Sequence, residues 1–478
     1  MTNQLPAPVT PRTGRSHESA GDAVRRSATT TASDRRSFGV ERRRDVPLDE
    51  HARVPTERGD PVAILAGQDT NRLASLVPIR HGRMSASAFT FYRGAAAVMA
   101  DDLSTVPSSG LWVQLCGDAH LSNFGVFNGP DRRLVFDVND FDETLPGPFE
   151  WDVKRLAASM VVAARANELG ESKARRAALA AVAGYRDAIA KLAVVDPLEL
   201  YYFRLEVDEI IARLRSEGRK HADKLIGKAR KKNSLRAVSK LTNEVDGRLR
   251  FVDDPPLVER LPDLDDDERD DIRSFFEQYL ATLPLSRRRV LERYRTVDVA
   301  RKVVGVGSVG TRCLILLCTT ADGDPLVLQF KEATASVLEP ALEPSAFDTA
   351  GERVVQGQRL MQAAGDVFLG WSRFTYTSTG QTADFYFRQL WDGKGSWPIE
   401  ELGGKALRIY GDLCGRTLAV AHARTGDAAA ITGYLGDDAT FDEAVADFSE
   451  RYADLTDDDH RRHLAAIDDG TIDAVRDI

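Results

Sequence analysis

The stretch that most constrains this chain is Cys116-Gly117-Asp118-Ala119-His120-Leu121-Ser122-Asn123, followed by Val135-Phe136-Asp137-Val138-Asn139-Asp140-Phe141-Asp142. Residues 124–127 and 134–138 read as short strands around the turn Asn128-Gly129-Pro130-Asp131. A hairpin there folds the chain back and brings Asn123 to Asp140. Two carboxylates and an amide so placed suit phosphoryl transfer: Asp118 would hold an acceptor hydroxyl, and Asn123 and Asp140 would offer oxygen ligands to Mg²⁺ on phosphates. A tight turn whose Asp and Asn side chains satisfy backbone donors is the other reading of the same residues.

The chain has 478 residues, enough for two or three domains or lobes, and 43% of them are hydrophobic, as in a soluble globular protein. No run approaches the roughly 18 apolar residues of a membrane span, and the N-terminus lacks an apolar leader core. A cytoplasmic protein without a membrane partner is expected. Cys116, Cys313, Cys318 and Cys414 are scattered without metal-ligand spacing, and read as reduced thiols near the core. A net charge of −9 and a pI near 5.6 disfavour a nucleic-acid partner held by bulk electrostatics.

Residues 1–58 are rich in Arg, Thr, Ser and Pro without apolar periodicity, and read as a disordered tail. Its arginines, including Arg25, Arg26, Arg42, Arg43 and Arg44, are then solvated or touch an anionic partner. Residues 86–103 carry apolar side chains at helical spacing, and 111–115 read as a buried strand delivering the Gly117-Asp118 loop. A helix is expected over 151–169, with further helical segments to about 242. Within these, 219–240 is basic, a solvated face or a contact for a phosphate-rich acceptor, and the acidic run 263–271 reads as a connector. Strands follow at 299–303, 313–318 and 326–330, then a helix at 350–364, a strand at 383–390 and helices at 400–424 and 441–454. The expected division is a helical lobe over 59–295, a β-rich lobe over 296–398, and helices over 399–478 that complete the first lobe.

Gly305-Val-Gly307-Ser-Val-Gly310 matches GxGxxG, a weak signal by itself. In a dinucleotide-binding fold these glycines open a helix, but here a β-like run follows, as where a kinase covers ATP phosphates with a glycine-rich hairpin. About twenty residues later Lys331 ends a buried strand. It suits a clamp on the α and β phosphates; a snorkelling edge-strand lysine is the alternative. Its orienting carboxylate is expected to be Glu352, with Glu332 and Glu339 as rivals.

In an ordinary kinase the glycine loop and lysine precede the catalytic loop, so this order implies circular permutation. The helix leading into the catalytic loop should then lie at the far end of the chain. Residues 410–423, which contain Leu418-Ala-Val-Ala-His422, are similar to the helix ending in Leu-Ala-x-x-His of aminoglycoside and choline kinases. Gly117-Asp-x-His-x-x-Asn123 resembles the catalytic loop of the aminoglycoside-phosphotransferase branch, and 140–152 resembles its metal-binding segment. The whole pattern also resembles an uncharacterised bacterial family, domain of unknown function 2252, through 89–94, 116–125, 139–156, 303–311, 328–333, 353–362 and 419–424.

The resemblance implies an α+β, bilobal, protein-kinase-like fold in circularly permuted order. It makes Asp118 the base, Asn123 and Asp140 the Mg²⁺ ligands, Lys331 the phosphate clamp, and Asp152 the brace of the catalytic loop. His120 holds that loop's shape, and Asp142 and Asp137 are reserve carboxylates for the metal. Arg93 has no counterpart in the kinase pattern; it binds substrate phosphate or pairs with an acid. The implied activity is an ATP- and Mg²⁺-dependent phosphotransferase with a small-molecule acceptor. A nucleotidyl transferase and a nucleotide-binding protein without turnover are the alternatives. A metallophosphoesterase reading of Gly117-Asp-Ala-His120 lacks the further metal-holding segments such enzymes need.

Overall fold

The computed structural model of the chain describes residues 28–213, 227, 234–245, 247–261, 266–303, 309–375, 380–390 and 395–476. These form an α+β structure that opens with helices α1 (Ala32–Asp45), α2 (Pro61–Asp69), α3 (Val77–Met84), α4 (Ala88–Gly94) and α5 (Ala96–Ser104). Strand β1 (Trp112–Leu115) follows, and β2 (Phe124–Asn128) and β3 (Leu134–Val138) pair as an antiparallel hairpin. Strand β4 (Leu145–Pro148) returns to pair with β1, and runs straight into α6 (Phe149–Ala166) and then α7 (Glu171–Leu192). The single helix expected over 86–103 is two helices. A Ser87–Thr90 capping box starts α4, and Ala95, at φ −111° and ψ 34°, breaks the run. Gly94 packs so tightly on Met84 that a Cβ would lie 2.6 Å from its sulfur, and a glycine at that point weakens helix continuation.

A small hairpin, β5 (Thr242–Val245) with β6 (Arg248–Phe251), precedes a six-stranded antiparallel sheet in the order β11-β12-β10-β9-β8-β7. Its strands are β7 (Val258–Arg260), β8 (Arg295–Lys302), β9 (Cys313–Thr319), β10 (Pro325–Ala333), β11 (Gly370–Thr375) and β12 (Thr382–Gln389). Helix α8 (Asp266–Ala281) covers one face, where Phe275 and Tyr279 meet Phe330, Phe385 and Phe387. The sheet thus recruits β7 and α8 from before residue 296. The acidic connector expected over 263–271 is, from Asp266, the first turns of α8, because the aromatic stripe that follows supplies the helix with a buried face. Helix α9 (Ala350–Met361) lies between β10 and β11.

The last helices, α10 (Gly404–Thr425), α11 (Ala428–Leu435) and α12 (Thr440–Asp468), return to the first half of the chain. One continuous core takes in Leu48, Phe149, Tyr185, Leu418 and Phe448. Helix α10 lies against α7 almost backbone to backbone: a Cβ on Gly415 would sit 1.9 Å from the Ala181 carbonyl. The four cysteines are buried as free thiols. Among the described residues no helix is long and apolar enough to cross a membrane.

The expectation of a disordered tail over 1–58 is corrected from residue 28 onward. Helix α1 docks on α11 through two glycines, with Gly39 against the Ala430 carbonyl and Gly433 against the Arg36 carbonyl. Arg43 donates to the carbonyls of Tyr434 and Gly433, satisfying the open C-terminus of α11, while Arg42 donates to the Ser109 carbonyl and Arg35 pairs with Asp427. Only Gly39 of α1 is buried, so apolar periodicity carries no trace of this docking. Arg25, Arg26, Gly305, Gly307 and, of the basic stretch 219–240, residues 219–226 and 228–233 lie outside the described residues.

Candidate functional site

The loop after β1 is built against one face of α6. Asp152, Arg155 and Ser159, spaced i, i+3 and i+7, all point at it. Buried Asp152 accepts the backbone N–H groups of Cys116 (2.8 Å) and Gly117 (3.1 Å). Ser159 Oγ accepts the Leu121 N–H at 3.0 Å. Gly117 has φ +83°, and a Cβ there would fall 2.2 Å from the Glu143 carbonyl, so only glycine fits this turn. The far end of the chain closes the arrangement from the other side. Tyr410 on α10 donates to the carbonyls of Leu121 and Phe124 (2.8 and 2.9 Å), and His422 Nε2 lies 3.2 Å from Asp152 Oδ2. Thr425, the last residue of α10, accepts the Gln114 N–H of β1.

Asp118 projects from this loop into an ion pair with Arg155, whose Nε and Nη2 lie 2.9 and 2.8 Å from Oδ1. Burial pushes the Asp118 pKa up, while Arg155 and Arg93 pull it back. His120 Nε2 is 3.6 Å from Asp118 Oδ2, and its Nδ1 is buried without a partner. Burial, then the charges of Arg93 and Arg155, drive the His120 pKa well below its ordinary value, so the ring is neutral at physiological pH. Its main chain shapes the turn: His120 N–H donates to the Asp118 carbonyl and Asn123 N–H to the His120 carbonyl, both at 2.8 Å.

The hairpin joins Asn123 to the second motif, with the Asn139 N–H donating to the Asn123 carbonyl at 2.8 Å. Asn123 Nδ2 donates to the Asp118 carbonyl, which turns its amide oxygen away from that bond. Asp118, Asn123 and Asp140 line a shared cavity of about 90 Å³, together with His120 and Asp142. Asp137 stays on the hairpin, half-buried, and desolvation raises its pKa to about 7 against the Val138 N–H bond and the pull of Arg424.

Asp142, expected as a reserve carboxylate for the metal, lines the cavity with both its oxygens engaged by protein partners. Oδ2 pairs with the Lys331 ammonium, and Oδ1 accepts the Tyr386 hydroxyl at 2.7 Å. Lys331 and Tyr386 stand directly opposite each other on β10 and β12, so the sheet presents them as a pair. Burial opposes both charges, yet the attraction wins: Asp142 is lowered to about 2, and the Lys331 pKa is raised, with Asp142 the leading cause. Asp142 therefore occupies the place expected for Glu352. Glu352 instead sits in the first turn of α9, its N–H on the Thr349 cap. The rivals have other work: Glu332 pairs with Arg312, and Glu339 lies 4.0 Å from Arg353 and accepts the Ser336 N–H.

Several groups escaped sequence reasoning. Arg353 on α9 is 2% exposed and donates to the carbonyls of Thr144, Asp142 and Thr334, which ties α9 and the end of β10 to the Asp140–Asp142 segment. Arg155, Tyr386 and Arg72 also carry no local motif. Their only available signal was residue type: an arginine or tyrosine inside an apolar run needs a partner. Arg72 Nη1 donates to the Val309 carbonyl (2.5 Å), and the Leu73 N–H donates to the Gly310 carbonyl (2.8 Å). The described end of the glycine segment is thereby fixed beside the cavity, which Arg72 also lines. Gly310 itself has φ +95°. Arg93 lines the same cavity; Asp118 acts on it electrostatically, but the Asp118 ion pair is made by Arg155.

The fold and site together define an α+β protein whose cavity is lined by the first helices, the loop after β1 and the segment after β3, with Val337 from beyond β10. The chain belongs to the family described as uncharacterized protein conserved in bacteria, DUF2252, which it matches over residues 72–466. No curated protein and no solved structure matches it.

Proposed function

We propose that this protein is an ATP- and Mg²⁺-dependent phosphotransferase of kinase-like, circularly permuted type, acting on a small-molecule acceptor in the cytoplasm. The observation that carries the reading is the convergence of Asp118, Asn123 and Asp140 on a cavity also lined by Asp142, the partner of Lys331, and by Arg72, which holds the described end of the glycine segment. The contacts of Tyr410, His422 and Thr425 with the loop region support the permuted order, since they put α10 where a lead-in helix would lie.

Asp118 would accept the hydrogen bond of the acceptor hydroxyl and take its proton, with Arg155 fixing the carboxylate's orientation. Neutral His120 and buried Asp152 keep the loop's shape. The donor set suits Mg²⁺: one carboxylate, Asp140, and the amide oxygen of Asn123 are hard oxygen ligands, and this ion takes few protein ligands beside substrate phosphates. Among the described residues no cluster of three His, Cys, Asp or Glu side chains would hold a metal unaided. When bound, Mg²⁺ supplies neutralising charge at the phosphate oxygens. Lys331 stands behind Asp142 at the cavity wall, and serves the phosphates once a phosphate oxygen replaces that carboxylate.

Titration calorimetry with MgATP tests the reading: binding by the full chain, lost in Asp140→Ala, is expected, and no nucleotide affinity in the unaltered protein would sink it. The Asp118–Arg155 ion pair favours a second reading, nucleotide binding without turnover, because Arg155 already holds Oδ1 of the carboxylate that would take the acceptor's proton. Single-turnover assays with γ-labelled ATP separate the two, since only the transferase releases labelled product.

A further inference from the structure

Two guanidinium groups face the cavity with donors left unused. Arg93 closes α4, and its Nε is buried without a partner. Burial presses its pKa down against the pull of Asp118 and Glu400. Arg72, from the segment between α2 and α3, spends Nη1 on the Val309 carbonyl but leaves its own Nε buried and unpartnered. Buried donors without acceptors are uncommon in folded proteins, and each asks for a cause. Here two of them, from separate segments, belong to side chains lining one cavity, next to Asp118, Asn123 and Asp140. The chain around Arg93 is shaped for the purpose: the helix breaks at Ala95, and α5 restarts at the cavity with Ala96 in its wall and no side-chain cap on its first N–H groups.

We propose that Arg93 and Arg72 form a subsite for a phosphoryl oxyanion in the cavity they share with Asn123 and Asp140. A guanidinium is a planar, permanently charged, multi-donor group matched to phosphate oxygens. Two of them approaching from different segments suit a tetrahedral group with three oxygens better than a planar carboxylate. The phosphoryl group is either the terminal phosphate of the nucleotide or a phosphate carried by the acceptor; both present the same oxyanion. The subsite rests on the phosphotransferase reading only for this choice of source, and not for its existence.

Titration calorimetry on the full chain with inorganic phosphate, MgADP and MgATP tests it, using the unaltered protein, Arg93→Gln and Arg93→Lys. Phosphate binding by the unaltered protein, weakened on the order of 10- to 100-fold in Arg93→Gln and partly restored in Arg93→Lys, is expected. If the nucleotide supplies the group, Arg93→Gln loses the preference for MgATP over MgADP. If the acceptor supplies it, MgATP affinity is unchanged, and phosphate binding to the nucleotide-saturated protein is what disappears. Phosphate that fails to bind the unaltered protein in any nucleotide state overturns the subsite, and so does equal binding of phosphate and MgATP by all three proteins. Phosphate binding through Arg93 without any nucleotide affinity would instead remove the phosphotransferase reading and leave the subsite standing. Phosphate broadening of the phosphorus resonance in the unaltered protein gives a measurement independent of how well the variants fold.

Discussion

At the scale of single residues, charge and burial decide what each motif member does. Asp152 answers two buried N–H groups of the Cys116–Gly117 turn, so Asp152→Ala strands both and should destabilise the protein by ~2–4 kcal/mol in urea unfolding. Asp152→Asn keeps one acceptor and should cost less. The Lys331–Asp142 pair behaves differently. Removing one partner leaves a buried charge, so Asp142→Ala should cost ~3–5 kcal/mol, and adding Lys331→Met should recover much of that loss. Its pH dependence has a definite sign. Asp142 is held at about 2 in the folded protein, against about 4 in an unfolded chain, so its contribution is complete above about pH 4. That stability fades as pH falls from about 4 towards 2, and Asp142→Asn should flatten this limb of an acid-unfolding curve. Asp118, Asn123 and Asp140 were legible in the sequence because the turn and hairpin that join them are local. The partner of Lys331 was not, because Asp142 is 189 residues away and is delivered by a different element.

At the scale of elements, helices and strands followed apolar periodicity where they bury a stripe, and departed from it where backbone contacts or arginines hold them. Helices α6 and α10 and strands β9 and β10 announce themselves by their apolar residues. Helix α1 does not, since its anchors are Gly39 against a carbonyl and Arg43 on the end of α11. Gly39→Leu should therefore loosen α1, and limited proteolysis within residues 28–52 should accelerate while the rest of the chain stays protected. The break at Ala95 was equally invisible, because Phe89, Tyr92, Ala96 and Met99 keep helical spacing across it. Helix α9 is attached by the buried Arg353 rather than by Glu352. Arg353→Met withdraws the donor from three carbonyls and should lower the melting temperature, whereas Glu352→Gln, at the helix start, should change it little.

At the scale of the whole molecule, the first and last thirds of the chain share one core. A chain ending at residue 403 lacks α10, and with it Tyr410, His422 and the glycine faces packed on α7; it should show no cooperative thermal transition by circular dichroism. The amino-acid sequence by itself determined the α+β class, the family, the loop and hairpin of the cavity and most strand and helix positions. Each of these follows from turn chemistry and periodicity within a few tens of residues. Only the tertiary structure decided which charge answers which: Asp142 for Lys331, Arg155 for Asp118, Arg353 for the carbonyls of the Asp142 segment, Arg43 for the end of α11. It also decided that Arg93 and Arg72 reach the same cavity. The charge pairings cross from 37 to 391 residues of chain and depend on which surfaces bury one another, and local patterns carry no record of that.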